Sequence, residues 1–528
     1  MSCRITLGLV LGCLYGISTT SSHEVRAADR GSSKPRLGIN LAGPADWNTE
    51  LPFADVFRFA RPWISQRKGS PWGKGPKLDL DERGWVRRLE PDCWAETALC
   101  TIEGGHYPSG RYTVRFSGKG RIAASGAARV VESAQGRVVL EVEARRGGFF
   151  LRLEETDPAD PVREIRVLMP GFSELPGEAP WNPSFLARWR GLACLRFMDL
   201  METNGSEIVS WADRPVLEDA TWARRGVPIE LLVDLANRLE ADAWFCIPHA
   251  ADDDYVARLA DLVAQRLHPS RKVYLEYSNE VWNPQFAQHR HASQRGIALG
   301  LSQDPRVAAH RYTSRRSVEI FAIAGRRIAR ERLVRVLPGQ AANPAVAREI
   351  TGFEGAHRHA DAVAIAPYVS MILSPRSKPT AAEASAWTVD QILAHLDRVA
   401  LPRAIDGIER HAELARGLGL ELIAYEGGQH MVGSGGGENL EPLTRLLISA
   451  NSAPGLEPIY DRYLEAWSKA GGGLFCHFSS IGRWTKWGSW GLLQYLDDDV
   501  DASPKFRAVR KWARGLGQSI GSDRASGS

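Results

Sequence analysis

The chain has 528 residues, with 66 basic and 62 acidic side chains and a formal net charge of +4. Charges of both signs are mixed along the sequence, so no block of like charge favours nucleic acid or a membrane surface, and a neutral partner is expected. The length exceeds that of one average domain and accommodates a single α/β barrel with an inserted module.

The first 28 residues have the three regions of a secretory signal peptide. Arg4 precedes an apolar run over residues 5–17, and a polar stretch ends at Ala28. We therefore expect a secreted or periplasmic protein. Cys13 is a less favoured candidate for lipid attachment, because the apolar run before it is short. No other segment approaches the roughly 20 apolar residues that a membrane span needs.

Seven cysteines become five once that leader is removed. Cys93 and Cys100 lie close together in a loop-rich region, where an exported protein could form a disulfide. Cys194, Cys246 and Cys476 lie inside apolar runs, where small buried residues are expected rather than metal ligands. The sequence has no zinc-ligand spacing, and we expect no metal or organic cofactor.

Short apolar runs alternate with segments of helical period after residue 180, which is typical of repeated βα units. Eight strands can be counted, which favours a closed (β/α)8 TIM barrel over an open sheet. The predicted strands span residues 36–41, 193–199, 243–249, 272–280, 333–340, 362–368, 421–426 and 473–478. The predicted helices include residues 229–239, 253–267, 307–330, 405–416, 458–470 and 503–516.

A segment of different texture interrupts the barrel after its first strand and a short helix. Stretches such as 111–116 and 136–143 alternate apolar and polar residues and are separated by glycine and serine turns. This period-two alternation predicts an inserted antiparallel β-sandwich. The expected division is a barrel of residues 35–78 and 172–515, an inserted module of residues 79–171, and a mobile tail of residues 517–528.

Polar residues follow most predicted strands, at the end where a parallel barrel carries its active site. Glu280 closes the fourth strand and Glu426 the seventh, and a carboxylate is costly in such a place unless it is paired or used in chemistry. Two carboxylates that face each other across a barrel mouth can break a glycosidic bond, so the sequence predicts a glycosidase. The polar residues at the strand ends are Asn40, Arg196, Asp199, His249, Asn279, Glu280, Gln340, Tyr368, Glu426 and His477.

With these glutamates the sequence resembles clan A of the glycoside hydrolases, the retaining barrel glycosidases that include family 5 cellulases and mannanases. That clan carries an Asn–Glu pair after its fourth strand, here Asn279 and Glu280, and a nucleophilic glutamate after its seventh, here Glu426. The resemblance covers the barrel segments and implies that Glu280 is the general acid/base and Glu426 the nucleophile. Retention requires about 5 to 5.5 Å between the two carboxyl groups. The competing interpretation of each glutamate is a structural ion pair with an arginine.

The resemblance also implies three supporting roles. Asn279 would hydrogen-bond the sugar 2-hydroxyl, and Tyr368 would hold the nucleophile. Arg196 would keep the nucleophile ionised through its positive charge, although it could instead pair with Asp199.

Two histidines are candidates for substrate contact. His249 matches in position a third-strand histidine of family 5, but the histidine that this family has two residues before its sixth-strand tyrosine is replaced here by Ala366. This departure counts against family 5 itself. His477, on the eighth strand, is either a substrate contact or a structural residue.

Tryptophans are abundant, with seventeen in the chain, and three of them cluster after the eighth strand. Trp484, Trp487 and Trp490 lie where the clan usually has its platform tryptophan, and flat rings stack on the apolar faces of pyranose sugars. We expect this loop to form a subsite floor, with at least one of its rings capping the barrel core instead. Trp282, just after the acid/base, is expected to border the leaving-group site.

The sequence therefore predicts a secreted, monomeric, retaining glycoside hydrolase that cleaves the β-glycosidic bonds of a β-glycan. The alternative is a non-catalytic carbohydrate-binding protein on a degenerate glycosidase barrel, in which the tryptophans hold glycan. The presence of both glutamates counts against that alternative. A barrel hydrolase or lyase of other chemistry would need a metal constellation or a nucleophile elbow, and the sequence shows neither.

Overall fold

A computed structural model describes residues 34–172 and 181–521 of the chain. The predicted signal peptide and Cys13 lie outside the described residues. No helix of the described part is long and apolar enough to cross a membrane.

Eight parallel strands form a closed barrel, each pairing with the next in chain order and the last with the first. The predicted (β/α)8 barrel is therefore confirmed. The strands are Arg36–Asn40, Cys194–Arg196, Asp242–Ile247, Val273–Tyr277, Leu333–Pro338, Ala362–Ile365, Glu421–Ala424 and Leu474–His477. We number them from one to eight as barrel strands. A two-stranded parallel ladder, Val369–Leu373 with Gln429–Gly433, extends beyond the sixth and seventh of them.

Helices surround the barrel, and their apolar faces supply its outer core. In Asp253–Arg266 the buried residues recur at helical spacing, and Asp252 caps the first turn by accepting a hydrogen bond from the Tyr255 amide. The helix predicted over residues 307–330 instead spans Pro305–Ala324 and ends at Gly325. The α-helices are Pro183–Trp189, Ile229–Arg238, Asp253–Arg266, Ala287–Ala298, Pro305–Ala324, Pro344–Gly352, Ala381–Ser385, Val389–His395, Leu401–Gly417, Glu441–Ser452, Leu456–Lys469 and Pro504–Gly515.

The inserted segment forms two four-stranded antiparallel sheets, as the alternation predicted. One sheet has the order Ile64–Arg67, Cys93–Leu99, Phe149–Thr156 and Gly120–Gly126, and the other Arg163–Leu168, Gly110–Ser117, Arg137–Val142 and Ala128–Ala134. A small hairpin pairs Asp79–Leu80 with Val86–Arg88. The first sheet begins at residue 64, before the predicted module start at residue 79. The division of the chain into domains stays a prediction.

The expected disulfide between Cys93 and Cys100 is wrong, because both are buried free thiols. Cys93 begins a strand and Cys100 directly follows its end at Leu99. Seven residues of extended chain span about 23 Å at about 3.3 Å per residue. A disulfide needs Cα atoms within about 7 Å, so the strand itself holds the two thiols apart.

The tail predicted from residue 517 is packed in its first part. The Gln518 side chain accepts a 2.7 Å hydrogen bond from the Leu37 amide and donates to the Gly191 carbonyl at 3.0 Å. Ile520 is buried. These contacts join residues 518–520 to the first barrel strand. Residues 522–528 lie outside the described part of the chain.

Candidate active site

Both predicted glutamates lie at the carboxyl end of the barrel, just past the strands that carry them. Glu280 follows the fourth strand by three residues, and Glu426 follows the seventh by two. The two are linked through Arg196, since one edge of its guanidinium bonds Glu426 and the other bonds Asn279, the residue before Glu280. The fold therefore brings the ends of the fourth and seventh strands to one centre.

Arg196 is the hub of this centre and is fully buried at the end of the second strand. A guanidinium has five N–H donors, and each of them is matched by a carboxylate or amide oxygen. Nη1 donates to Glu426 Oε1 at 2.9 Å and to Asn40 Oδ1 at 3.0 Å. Nη2 donates to Asn279 Oδ1 at 2.8 Å and to Glu276 Oε2 at 3.0 Å, while Nε donates to the same Glu276 oxygen at 3.3 Å. The alternative pairing with Asp199 is not made.

Glu426 is held by a different partner at each oxygen. Oε1 makes the ion pair with Arg196, and Oε2 accepts a 2.9 Å hydrogen bond from the Tyr368 hydroxyl. Hydrogen bonds and an opposite charge both favour the ionised form of a carboxyl group. The carboxylate is thereby fixed in one orientation and supplied with the contacts that stabilise its negative charge.

Glu280 has an opposite environment, because none of the described residues bonds a cation to it. Asn283 Nδ2 donates to Oε2 at 3.0 Å, and the Tyr425 hydroxyl lies 3.4 Å from Oε1. Desolvation and the charge of Glu426 raise the pKa of Glu280 to about 7. A carboxyl group with this pKa is protonated in part near neutral pH, while Glu426 is paired with a cation.

The backbone around Glu280 is strained. Ser278 has a φ of +56° and Glu280 a φ of +42°, conformations that residues with a side chain rarely adopt. Such strain persists only where the surroundings enforce it, and it concentrates at functional sites. The surrounding structure thus holds the end of the fourth strand in a strained conformation, which fixes the direction of these side chains.

Asn279 is buried and bonded at both ends of its amide. Its oxygen accepts from Arg196, and its Nδ2 donates to Asn204 Oδ1 at 3.1 Å. Gln288 also donates to Asn204 Oδ1, at 2.7 Å, and to the Asn279 carbonyl, at 2.9 Å. Asn204 and Gln288 were not predicted from the sequence, because Asn204 lies in a loop and Gln288 in the helix Ala287–Ala298, and only the fold brings them together.

Glu276 is the most central residue that sequence analysis missed. It is fully buried in the fourth strand and binds Arg196 from the side opposite Glu426. The signal for it was present: Tyr274 and Glu276 alternate on the inward face of the strand, and a charge there requires a buried partner. The predicted residues lie at strand ends and in the loops that follow them, whereas Glu276 lies within a strand.

The two predicted histidines differ in surroundings. His249 is half-buried, and its ring packs edge-on against His291 at 5.1 Å. Desolvation lowers its pKa to about 4. His477 is fully buried beneath Gly428, whose ideal Cβ would lie 2.8 Å from Nε2 of the ring. The interpretation of His477 as a substrate contact is therefore wrong for this conformation, since the barrel covers the ring.

The loop tryptophans divide into one packed ring and two accessible ones. Trp484 is 9% exposed, donates from Nε1 to the Gly491 carbonyl at 3.1 Å and packs under the Lys505 ammonium. It caps the core, as expected of at least one of the three. Trp487 is 63% exposed, and Trp490 is half-buried. Trp282 is half-buried, two residues past Glu280.

Aromatic rings also line the nucleophile side of the centre. Trp490 contacts Phe478 and His430 at centroid distances of 6.0 and 5.5 Å, and both of these rings contact Tyr368, at 6.4 and 5.5 Å. Desolvation lowers the pKa of His430 to about 4, so this ring is neutral at ordinary pH. His430 and Phe478 were not proposed from the sequence. They connect Trp490 to the tyrosine that holds Glu426.

A cleft of about 650 Å³ lies between the loops that follow the first, second and eighth barrel strands. Desolvation and the charges of Glu426 and Glu202 raise the pKa of Asp199, in the cleft wall, to about 7. Desolvation likewise raises the pKa of Glu202 to about 7. Because the charge of Glu426 acts on Asp199, the cleft lies near Glu426. Its lining includes Asp46, Trp47, Arg61, Asp199, Glu202 and Trp487.

The inserted module helps to form one wall of this cleft. Arg61, which leads into its first strand, makes an ion pair with Asp46 at 2.8 Å. Thr101 follows a strand of the module and donates to the same carboxylate at 2.6 Å. The buried Asp46, in the loop after the first barrel strand, thus bonds residues of the module at the cleft.

Among the described residues, one group has potential metal-ligand atoms near one another: His106, Asp497 and Asp498. His106 Nδ1 lies 3.0 Å from Asp497 Oδ1, and its ring stacks on Tyr495 at 3.6 Å. Asp498 accepts the amides of Gln494 and Tyr495 at 2.8 and 3.0 Å. These contacts account for the group without an ion, and the group is not part of the carboxylate centre.

The fold and the site define a (β/α)8 barrel with two glutamates of contrasting environment at the carboxyl ends of the fourth and seventh strands. No family model matches the chain, and no curated protein matches it. Several solved structures are similar to it. A fungal β-1,4-galactanase is 10% identical with a TM-score of 0.35, over 61% of this chain and 90% of that one.

Two further solved structures are similar at the same level. The GH51 arabinofuranosidase from Xanthomonas axonopodis pv. citri is 13% identical with a TM-score of 0.39, over 66% of this chain and 69% of that one. Xylanase 10C from Cellvibrio japonicus is 11% identical with a TM-score of 0.34, over 88% of this chain and 99% of that one. Similarity at this level does not show a function for this chain. The function proposed below rests instead on the geometry of the site.

Proposed function

We propose that this protein is a retaining glycoside hydrolase that cleaves β-linked glycan through a double displacement by two glutamates. One observation carries the proposal: Glu280 is a desolvated acid with a pKa of about 7, whereas Glu426 is an ion-paired carboxylate. Two carboxyl groups in such contrasting environments, one desolvated and one paired with a cation, suit an acid and nucleophile pair.

In the first step Glu426 attacks the anomeric carbon while Glu280 gives its proton to the leaving oxygen. The glycosidic bond breaks and an ester bond to Glu426 forms. In the second step Glu280, now ionised, takes a proton from water, and that water displaces Glu426 from the sugar. Arg196 and Tyr368 hold the leaving carboxylate, and Asn279 would hydrogen-bond the 2-hydroxyl of the bound sugar.

The cleft beside Glu426 is the proposed path of the glycan chain. Its volume of about 650 Å³ lies in the usual range of ligand sites. Trp47 and Trp487, 56% and 63% exposed, offer ring faces for stacking on sugar rings. Asp199 and Glu202 would bond sugar hydroxyl groups. Support for export comes from the leader-like first 28 residues, which suit an enzyme that meets glycan outside the cytoplasm.

The test is a screen of β-glycans and aryl β-glycosides, followed by proton NMR of the first product released. We expect hydrolysis with the β-anomer formed first, and loss of activity in both Glu280→Gln and Glu426→Gln. The control is Glu96→Gln, which changes a buried glutamate paired with Arg152 in the inserted module. Binding of glycan without hydrolysis would favour the carbohydrate-binding alternative, and first release of the α-anomer would exclude retention.

A further inference from the structure

Glu276 lies in the wall of the barrel interior and has no part in the two steps above. Its Oε2 accepts from Nη2 and Nε of Arg196 at 3.0 and 3.3 Å and from Trp244 Nε1 at 3.0 Å. Its Oε1 has no hydrogen-bond partner among the described residues. A fully buried carboxylate with an unused oxygen is costly, so its retention inside the barrel calls for a reason.

The way in which the N–H groups of Arg196 are shared among its partners explains why Glu276 is there. Of its five N–H groups two go to Glu276, one to Asn279 and one to Asn40, which leaves one for Glu426. A guanidinium without these restraints pairs with a carboxylate through two parallel hydrogen bonds. A bidentate pair would hold Glu426 more tightly in its ionised, resting form and make it a poorer nucleophile.

We propose that Glu276 is a positioning residue that anchors the Arg196 fork, so that a single N–H reaches Glu426 and the nucleophile stays reactive. The inference rests on the proposed glycosidase function and adds to it a residue that acts only through Arg196. It also explains why Glu276 binds the Nε and Nη2 edge, the one that faces away from Glu426.

The charge of Glu276 has a predictable sign of effect. Burial raises the pKa of Glu276, Arg196 opposes that shift, and the like charge of Glu426 adds to it. Because the two carboxylates repel each other, removal of the negative charge at position 276 removes that repulsion and frees Arg196 to bind Glu426. The titratable and charged groups that face Glu276 are Arg196, Cys246, Tyr425 and Glu426.

The test compares Glu276→Gln with the wild type in the pH dependence of kcat/KM on an activated aryl glycoside. The amide keeps the shape but removes the charge, so we expect the acidic limb to move to lower pH by about one unit. We also expect kcat to fall about tenfold with little change in KM, because the resting Glu426 carboxylate is held more tightly, which raises the barrier to attack without changing substrate binding. Glu96→Gln is the matched control, and its acidic limb should stay at the wild-type position.

Glu276→Asp keeps the negative charge but has a shorter side chain. We expect the acidic limb of its pH profile to stay at the wild-type position and its kcat to be lower, because the shorter side chain holds the Arg196 guanidinium less well. An unmoved acidic limb in a folded Glu276→Gln variant would overturn the proposal. If that variant does not fold, Glu276→Asp decides: a wild-type kcat would overturn the proposal, and a lowered kcat with an unmoved limb would support it.

A readout without turnover separates this inference from the glycosidase proposal. In protein labelled with ¹³C at glutamate carboxyl carbons, the Glu426 signal, assigned by its loss in Glu426→Gln, should change its chemical shift in Glu276→Gln at a fixed pH, because Arg196 then bonds Glu426 differently. If no glycan is cleaved by wild type, the proposed function fails, but this signal still tests the link between the two glutamates. An unchanged Glu426 signal would overturn the inference whatever the activity.

Discussion

The hydroxyl of Tyr368 donates a 2.9 Å hydrogen bond to Oε2 of Glu426. It holds the oxygen that Arg196 does not, so the carboxylate is fixed from two sides. In the proposed reaction this contact orients the nucleophile before attack and stabilises it as a leaving group after the glycosyl ester breaks.

Tyr368→Phe should lower kcat about 10- to 100-fold, because a hydrogen bond to a charged group is worth about 1.5–3 kcal/mol. Steady-state kinetics on an aryl glycoside measure the effect. Tyr107→Phe is the control: it removes a phenol that donates to the Gly147 carbonyl in the inserted module. Equal kcat in Tyr368→Phe and wild type would show that the bond has no part in the reaction.

The pH profile on natural glycan should have a basic limb near pH 7. Glu280 must carry its proton to act as acid, and its pKa of about 7 means that this form is lost as the pH rises through that value. Glu280→Gln should remove the limb and slow hydrolysis of natural glycan by about 10²- to 10⁴-fold. Substrates whose leaving group needs no proton should lose far less in the first step. Equal losses on both substrate types would refute the acid role.

Replacement of two neighbouring tryptophans by alanine should affect different quantities, KM in one case and the stability of the fold in the other. Trp487→Ala removes an exposed ring and should raise KM for polysaccharide about fivefold while Tm stays unchanged, since stacking contributes about 1 kcal/mol. Trp484→Ala empties a packed site and should destabilise the fold by about 3–5 kcal/mol.

Calorimetry and polysaccharide kinetics on both variants measure these effects. The control is Trp72→Ala, which removes a ring of similar exposure in the inserted module and should leave KM for polysaccharide unchanged. A wild-type KM in Trp487→Ala would remove this ring from the proposed glycan path.

His477 should make the fold sensitive to acid. Burial and the charge of Lys505 lower the pKa of His477 to about 3, so the folded protein resists protonation that the unfolded chain accepts below about pH 6.5. The contribution of neutral His477 to the free energy of unfolding is therefore present above about pH 6.5 and is lost as the pH falls toward 3.

Tm measured between pH 4 and 7 should fall less steeply with acidity in His477→Asn than in wild type. The exposed His359→Asn is the matched control and should keep the wild-type slope. An equally steep fall in His477→Asn would mean that other groups govern the acid sensitivity.

The eight strands were predictable because a barrel strand is covered on both faces and therefore forms a short apolar run bounded by turns. Glu280, Glu426 and Arg196 were also visible, since each is a polar residue at the end of such a run. Glu276 was not predicted because it lies within a strand. Its partner Arg196 is on another strand, 80 residues away in sequence, and the pairing is not apparent from the sequence. Its inward position and charge were the available signals.

Other features depend on contacts that sequence spacing does not contain. Trp484 and Trp487 are three residues apart, yet one packs under Lys505 and the other faces solvent, and that difference is set by the closing helix. His477 ends its strand like the other candidates but is covered by the Gly428 backbone. Cys93 and Cys100 were assigned to a loop, whereas a continuous strand keeps them apart.

The central claim is that Glu426 forms a covalent bond with the sugar. Incubation with an activated 2-deoxy-2-fluoro β-glycoside, followed by proteolysis and mass spectrometry, tests it directly, because the fluorine slows release of the glycosyl enzyme. We predict one labelled peptide, with the sugar on Glu426, and no label in Glu426→Gln. Turnover of glycan with label on another residue, or with no label at all, would contradict the account.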